Sequence, residues 1–165
     1  MKLILTGGFL GSGKTTAIQQ ACLLLMKENV SVAVITNDQG RELVDSKFIE
    51  GFSIPVKEVT KGCFCCNYNE LLQNIYYFSK HVHPEFIFAE SVGSCTDLIA
   101  TIAKPLAETQ PELTVNISVF VDAYLLHSVI SGTAAVIDDA VRYIFKKQME
   151  EADILILNKT DLLNE

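Results

Sequence analysis

Residues 3–16 of the chain read LILTGGFLGSGKTT. The short apolar run at its start is typical of a buried strand, and the glycine-rich turn that follows opens into a helical pattern at Lys14. Gly8, Gly13, Lys14 and Thr15 have the spacing G-x-x-x-x-G-K-[ST]. This stretch therefore predicts a strand, a phosphate-binding loop and a helix, and the alternative is a tight glycine turn without a ligand.

Each residue type in this loop has a chemical reason. Glycines let successive backbone N–H groups point at a phosphate chain, and the helix that follows presents its positive end to the same anion. Lys14 adds a full positive charge for the β- and γ-phosphates, and Thr15 offers a hydroxyl to Mg²⁺. The predicted nucleotide-binding residues of the loop are Gly8, Gly11, Ser12, Gly13, Lys14, Thr15 and Thr16.

Length, composition and charge restrict the class of protein. The 165 residues are 49% apolar and 20% charged, which is typical of one globular domain. A net charge of −7 argues against nucleic-acid and anionic-membrane partners. We find neither a secretory leader nor a run of about 18 apolar residues. Five cysteines, several of them crowded together, do not resemble a secreted disulfide framework, so we expect a cytoplasmic protein.

The hydrophobic pattern predicts an α/β fold. Apolar runs indicate strands at 3–5, 32–35, 54–59, 86–89, 114–121 and 154–157. Those at 32–35, 86–89 and 154–157 are expected to be buried, and Pro55 places 54–59 at an edge. Helical spacing indicates helices at 14–28, 41–49, 69–79, 124–130 and 138–151, and another that Thr96 or Asp97 caps and Pro105 limits. Alternating strands and helices predict the three-layer sandwich of P-loop NTPases, with a mainly parallel central sheet.

Carboxylates follow two of the predicted strands. Glu90 ends the run FIFA, where phosphate-loop enzymes place a carboxylate that holds Mg²⁺ directly or through water. Gly93, three residues later, allows a backbone N–H to approach a terminal phosphate. Asp38 follows the strand at 32–35 and is either a further Mg²⁺ ligand or part of an Asx turn. Lys14, Thr15 and Glu90 are thus the predicted catalytic residues.

A second motif follows the last strand. Asn158, Lys159 and Asp161 form N-K-x-D. A carboxylate at the position of Asp161 can accept two hydrogen bonds from guanine that adenine cannot donate, and such a site rejects the analogue strongly. The stem of Lys159 can lie along the base, and Asn158 can tie the loop together. The motif predicts GTP as the nucleotide, and the alternative is an ordinary polar turn.

Three cysteines form the third motif. Cys63, Cys65 and Cys66 are crowded into four positions, and thiolates are soft ligands that suit Zn²⁺ and similar divalent metals. Redox-sensing thiols and inert thiols are the alternatives, since neighbouring cysteines form a disulfide only with strain. The fourth position is left to water, a partner or another side chain, with Asp38, Glu42, His81 and His83 as candidates. Cys95 is placed outside the cluster, and both it and Cys22 are interpreted as structural.

Taken in order, GFLGSGKTT, NDQG, GCFCC, ESVG, VFVDA and NKTD resemble the CobW-type metal-linked GTPases. In the segment that the family often writes NEFG, Asp38 keeps the carboxylate and Gln39 replaces the aromatic. The resemblance implies a GTPase metallochaperone or metal-dependent activator that binds Zn²⁺ at the three cysteines. Family members usually carry a C-terminal domain after NKTD, so we expect residues 1–165 to form a single GTPase domain without it.

The functional hypothesis is that GTP·Mg²⁺ binding and slow hydrolysis control metal transfer to an unknown client metalloprotein. Segments at 37–66 would respond to the γ-phosphate as switches do, and a nucleotide-dependent homodimer is left open. One alternative is an ATP-using small-molecule phosphotransferase, against which we count the presence of only two arginines, Arg41 and Arg142. The other is a non-catalytic zinc and nucleotide sensor module.

Overall fold

The computed structural model describes residues 1–37, 54–60, 62–131 and 138–163. The predicted helix at 41–49, together with Asp38 and Glu42, lies outside these ranges. Six strands are present in the described part: β1 (Lys2–Gly7), β2 (Val32–Asn37), β3 (Val56–Val59), β4 (Phe86–Glu90), β5 (Thr114–Asp122) and β6 (Ile154–Asn158).

Helices connect and cover these strands. They are α1 (Lys14–Lys27), α2 (Tyr68–His81), α3 (Lys104–Thr109), α4 (Ala123–Ile130) and α5 (Asp139–Glu150), with a π-helical turn at Ile99–Ala103 and a 3₁₀ turn at Thr160–Leu162. Two of the helices begin at an aspartate whose carboxylate accepts a backbone N–H of the first turn. Asp122 accepts from Leu125 at the start of α4, and Asp138 accepts from Ala140 at the start of α5.

All six strands run parallel in the order β3-β2-β4-β1-β5-β6. The central strand β1 lies between β4 and β5, with Leu5 opposite Ala89 on one side and Ile117 on the other. In a parallel sheet the carboxyl ends of all strands lie at one edge. The phosphate loop after β1 and the segment after β4 therefore leave the sheet as neighbours, and the prediction of a parallel α/β sheet is confirmed.

The two faces of the sheet carry separate apolar clusters, which makes the fold three-layered. Along β2, Val32 and Val34 pack with Ile18 and Cys22 of α1, because alternate side chains of a strand point to opposite faces. The intervening residues belong to the larger cluster on the other face, which includes Leu71, Ile75 and Phe78 of α2. Cys22 is only 1% exposed, so its interpretation as a core residue is confirmed.

Two expectations about the fold are wrong. The last strand is not buried: β6 lies at an edge of the sheet, with Ile154, Leu155 and Leu157 about half exposed. Pro105 does not limit its helix either, because it lies in the first turn of α3, directly after the π-helical turn. A proline ring clashes with the carbonyl four residues earlier in a regular helix, and the wider π turn provides the room it needs.

Candidate functional site

The loop between β1 and α1 wraps around the ammonium group of Lys14. Lys14 Nζ donates to the carbonyl oxygen of Gly8 at 2.8 Å and to that of Phe9 at 3.2 Å, and the residue is 6% exposed. Burial lowers the pKa of Lys14, while the nearby Glu90 and Cys95 oppose this change. The lysine thus holds its charge inside the loop, where an anionic ligand would meet it.

The interior of this loop fits a phosphate. The hydroxyl of Ser12 is buried and has no hydrogen-bond partner among the described residues. A buried hydroxyl without a hydrogen-bond partner costs about 1–3 kcal/mol, and a phosphate oxygen could accept a hydrogen bond from it. Gly13 has a φ of 93° and N-caps α1 without a side-chain hydrogen bond, so the backbone N–H groups of the first turn stay available to an anion. Gly11 and Thr16 are exposed.

The side chains of Thr15 and Glu90 meet across 75 positions of the sequence. Thr15 Oγ1 donates to Glu90 at 2.8 Å from Oε1 and 3.1 Å from Oε2. Burial raises the pKa of Glu90, and the hydrogen bond from Thr15 and the charge of Lys14 oppose the rise. A hydroxyl and a carboxylate are oxygen ligands of the kind that Mg²⁺ prefers, so the pair fits that ion. Asp38, the third predicted Mg²⁺ ligand, lies outside the described residues.

The N-K-x-D motif packs against the phosphate loop through its asparagine. Asn158 Nδ2 donates to the carbonyl oxygen of Ser12 at 2.9 Å. A Cβ added to Gly13 would lie only 2.3 Å from the same nitrogen, so the two segments are in close contact. Asp161 is exposed in the 3₁₀ turn at Thr160–Leu162. Guanine recognition by this motif therefore stays a prediction.

The lysine of the motif is held by the neighbouring strand. Lys159 Nζ lies 2.9 Å from Asp122 Oδ2, at the carboxyl end of β5. Burial opposes ionisation of Asp122, but the hydrogen bonds from Lys159 and the Leu125 backbone, together with the charge of Lys159, outweigh it, so the pKa of the carboxyl is lowered. Because Asp122 also caps α4, the ion pair connects the predicted base-binding motif to that helix.

The segment after β4 lies on the phosphate loop. A Cβ at Gly93 would lie 2.8 Å from the backbone nitrogen of Leu10, so only glycine permits this approach. Gln148 of α5, which is 2% exposed, donates from Nε2 to the carbonyl oxygens of Gly93 and Cys95, each at 2.9 Å. Sequence reasoning gave Gln148 no role, although an amide on the apolar face of a helix was a signal of a buried hydrogen bond.

The cysteine loop is shaped by one buried aromatic ring. Phe64 is 0% exposed, whereas Cys65 and Cys66 on its C-terminal side are exposed and Cys63 is half-buried. Asn37 Nδ2, at the end of β2, donates to the carbonyl oxygen of Gly62 at 2.7 Å. The core thus holds the loop through Phe64, and the thiols are left at the surface.

The three thiols of this loop are close enough to share one ion. Their sulfur atoms lie within 4.8 Å of one another, with Cys63 Sγ 2.8 Å from Cys65 Sγ and 3.2 Å from Cys66 Sγ. A tetrahedral zinc ion with Zn–S bonds of about 2.3 Å would hold its sulfurs about 3.8 Å apart, so the thiols would spread slightly on binding. The cluster therefore has the ligand type and the approximate geometry of a metal site.

The thiols differ in how readily they ionise. Burial opposes ionisation of Cys63, but hydrogen bonds with the Cys65 and Cys66 thiols and with the Cys66 backbone lower its pKa to about 7. Burial and the neighbouring Cys63 raise the pKa of Cys65 to about 12. Cys63 is thus the member of the cluster that is a thiolate most readily near neutral pH.

The structure changes the set of candidate fourth ligands. The histidine candidates are excluded by distance: His81 ends the 14-residue helix α2, which begins directly after the cluster, so it lies about 20 Å away at 1.5 Å per residue. His83 follows it. Cys95 was placed outside the cluster, and the described thiols that lie within 4.8 Å of one another are Cys63, Cys65 and Cys66 without it.

Strand order, phosphate loop and strand-end residues together define a P-loop nucleotide-binding protein of the α/β class. The chain belongs to the CobW/HypB/UreG family, whose nucleotide-binding domain matches residues 2–165. Members of this family are P-loop GTPases.

Curated relatives are named as zinc proteins. The chain is 32% identical over 165 residues to the zinc chaperone YjiA of Escherichia coli (strain K12), covering 96% of this chain and 49% of that protein. It is 34% identical over 116 residues to the zinc-regulated GTPase metalloprotein activator 1 of Dictyostelium discoideum, covering 62% of this chain and 23% of that protein. The chain thus spans about half the length of YjiA.

Solved structures agree on the fold. The hydrogenase maturation factor HypB from Archaeoglobus fulgidus superposes with a TM-score of 0.67 at 17% identity, over 98% of this chain and 68% of that one. The signal recognition particle receptor FtsY from Elizabethkingia anophelis gives 0.59 at 13% identity, over 94% and 57%. None of the described helices has the length and hydropathy that crossing a bilayer requires.

Proposed function

We propose that this chain is the GTP-binding and GTP-hydrolysing domain of a metallochaperone, which carries Zn²⁺ or a similar divalent metal on Cys63, Cys65 and Cys66. The observation that carries the proposal is the cluster of three thiols within 4.8 Å of one another in a chain of a P-loop GTPase family. The zinc chaperones among its relatives support the same conclusion.

The nucleotide would bind along the edge of the sheet. Its phosphates would lie in the phosphate loop, with Lys14 and the amides of the first turn of α1 as donors and Gly93 at the terminal phosphate. Asp161 would accept from guanine, and Asn158 and Lys159 would hold the motif in place. Thr15 and Glu90, with Asp38, would hold Mg²⁺, which neutralises phosphate charge.

Nucleotide and metal would be coupled through the segment from Glu90 to Cys95. One end of this segment contacts Thr15 and its middle packs against Leu10. At its far end, burial and then the neighbouring Cys63 raise the pKa of Cys95. A change in the position of Glu90 when nucleotide and Mg²⁺ bind would be transmitted to the thiols through this short connection. We place this activity in the cytoplasm, with a client metalloprotein as the recipient and without nucleic-acid or membrane partners.

Base specificity is tested by competition against a fluorescent GTP analogue. We expect GTP to displace it at concentrations about 10²-fold or more below those of ATP, because ATP leaves the carboxylate of Asp161 unpaired. D161N should remove most of this preference. D139N, which changes an exposed aspartate of α5, is the matched control and should behave as wild type. Equal displacement by GTP and ATP in the wild type would refute the proposed base specificity.

Hydrolysis and metal binding need separate measurements. Phosphate release from GTP should be slow in the wild type and absent in K14A. Equilibrium dialysis should show one Zn²⁺ per wild-type chain and none in the triple variant C63S/C65S/C66S. C22A, which removes a core thiol, is the control and should bind Zn²⁺ as wild type does.

The coupling between nucleotide and metal is tested by measuring GTPγS affinity with and without Zn²⁺. An affinity that Zn²⁺ leaves unchanged would contradict the coupling.

A further inference from the structure

Gln148 of α5 is a buried amide that holds the backbone of the segment after β4. It is 2% exposed, and its Nε2 donates to the carbonyl oxygens of Gly93 and Cys95, each at 2.9 Å. An amide NH₂ group has two hydrogens to donate, so this arrangement uses both of them. Its Oε1 has no hydrogen-bond partner among the described residues. The two carbonyl oxygens therefore fix the orientation of the amide, because Oε1 in the place of Nε2 would be repelled by both.

The same segment is also anchored at its two ends. Ser91 donates from its backbone N–H and from its hydroxyl to the carbonyl oxygen of Thr6 in β1, each at 3.0 Å. Glu151 accepts the backbone N–H of Leu98 at 3.1 Å. Gln148 and Glu151 are three positions apart at the end of α5, so their side chains lie on the same side of that helix. The end of α5 thus holds both the middle and the far end of the segment.

The middle of the segment needs an outside contact because Gly93 has no side chain. Glycine rotates more freely about its backbone bonds than any other residue. The close approach to the phosphate loop nevertheless requires glycine here, since a Cβ would lie 2.8 Å from the backbone nitrogen of Leu10. The carbonyl oxygen that Gln148 holds belongs to the residue whose N–H is proposed to meet the terminal phosphate. Holding this carbonyl limits the rotation that would turn the N–H away.

We infer that Gln148 is a positioning residue for the terminal phosphate of GTP, and that it acts by fixing the backbone of Gly93. This inference rests on the proposed function, in which GTP lies in the phosphate loop with Gly93 at its terminal phosphate. GDP lacks that phosphate, so the affinity for GDP should not depend on Gln148. A residue that only stabilises the fold would instead change the affinities for both nucleotides together.

The test compares GTPγS and GDP binding to Q148M, with both nucleotides titrated against the same fluorescent GTP analogue. Methionine keeps an unbranched side chain and a good helix propensity, but it has no hydrogen-bond donor. We expect Q148M to weaken Mg²⁺-dependent GTPγS binding about 3–10-fold, as for the loss of one hydrogen bond, and to leave GDP binding unchanged. Phosphate release from GTP in a single turnover should slow as well.

Two further variants control for the substitution itself. Q20M makes the same exchange at an exposed position of α1 and should bind both nucleotides as wild type does. Q148E keeps the shape of the side chain but loses the NH₂ group, and it should show the same selective loss as Q148M. Circular dichroism should confirm that each variant is folded. Equal losses of GTPγS and GDP affinity in a folded Gln148 variant, or an unchanged GTPγS affinity, would overturn the inference.

The proposed function and this inference fail in different ways. If wild type neither binds GTPγS nor releases phosphate from GTP, the proposed function fails. If wild type does both, while folded Q148M and Q148E discriminate GTPγS from GDP as wild type does, only the role of Gln148 fails.

Discussion

Replacing Gly13 by alanine tests the contact between the phosphate loop and the N-K-x-D motif. The new Cβ would meet Asn158 Nδ2 at 2.3 Å, against more than about 3.4 Å for an ordinary contact, so the amide must move by about 1 Å. That movement breaks its 2.9 Å hydrogen bond to the carbonyl oxygen of Ser12. The loss should cost about 0.5–1.5 kcal/mol in the free energy of unfolding.

The backbone makes a second contribution, and Gly11 measures it separately. Gly13 and Gly11 have φ values of 93° and 75°, which cost an alanine about 1–2 kcal/mol. A Cβ at Gly11 meets nothing within 4 Å, so G11A carries this cost alone. Alanine also stiffens the unfolded chain, by a similar amount in both variants, so this term cancels in the comparison.

Urea unfolding followed by circular dichroism, at one pH and without nucleotide, gives the free energy of unfolding of each variant. G13A should be less stable than G11A by about 0.5–1.5 kcal/mol. In an N158A background this difference should disappear, because the side chain that the Cβ meets is gone. Equal losses for G13A and G11A in the wild-type background, or a difference that survives N158A, would refute the reasoning.

Three further outcomes follow from the site. F64A should lower the free energy of unfolding by about 3–5 kcal/mol, because the buried ring is removed, and it should weaken Zn²⁺ binding. F64L should lie between F64A and wild type in both properties. An unchanged Zn²⁺ affinity in folded F64A would show that the ring does not position the thiols. T15A should weaken Mg²⁺-dependent GTP binding about 10–100-fold in calorimetry, and T15S should restore it because it keeps the hydroxyl. Unchanged binding by T15A would exclude the Thr15 hydroxyl as a Mg²⁺ ligand. Alkylation of the metal-free protein, measured by mass spectrometry, should increase at Cys63 as the pH rises through about 7, while Cys65, with a pKa of about 12, reacts slowly. Similar midpoint pH values at the two thiols would contradict the conclusion that Cys63 ionises first.

Much of the fold could be predicted because its signals are local. Every described strand overlaps an apolar run, and the phosphate loop follows from glycine, lysine and threonine at a fixed spacing within a few residues. The predictions that are wrong concern what surrounds a strand or a residue in the fold, rather than where the strands and helices form. Ile154–Leu157 is apolar enough for a central strand, but its place at the edge of the sheet leaves it half exposed. A hydrophobic run shows that a strand forms, and only the pairing shows what covers it.

The sequence by itself determined the class of protein, the phosphate loop, the N-K-x-D motif and the three-cysteine motif, since each of these depends on residue types at short, fixed spacings. Only the tertiary structure decided that Glu90 meets Thr15 beside the phosphate loop, and that His81 lies far from the three cysteines. The physical reason is the strand order. Because β4 pairs with β1 on one side and β2 on the other, the segment after it emerges between the phosphate loop and the loops that follow β2 and β3.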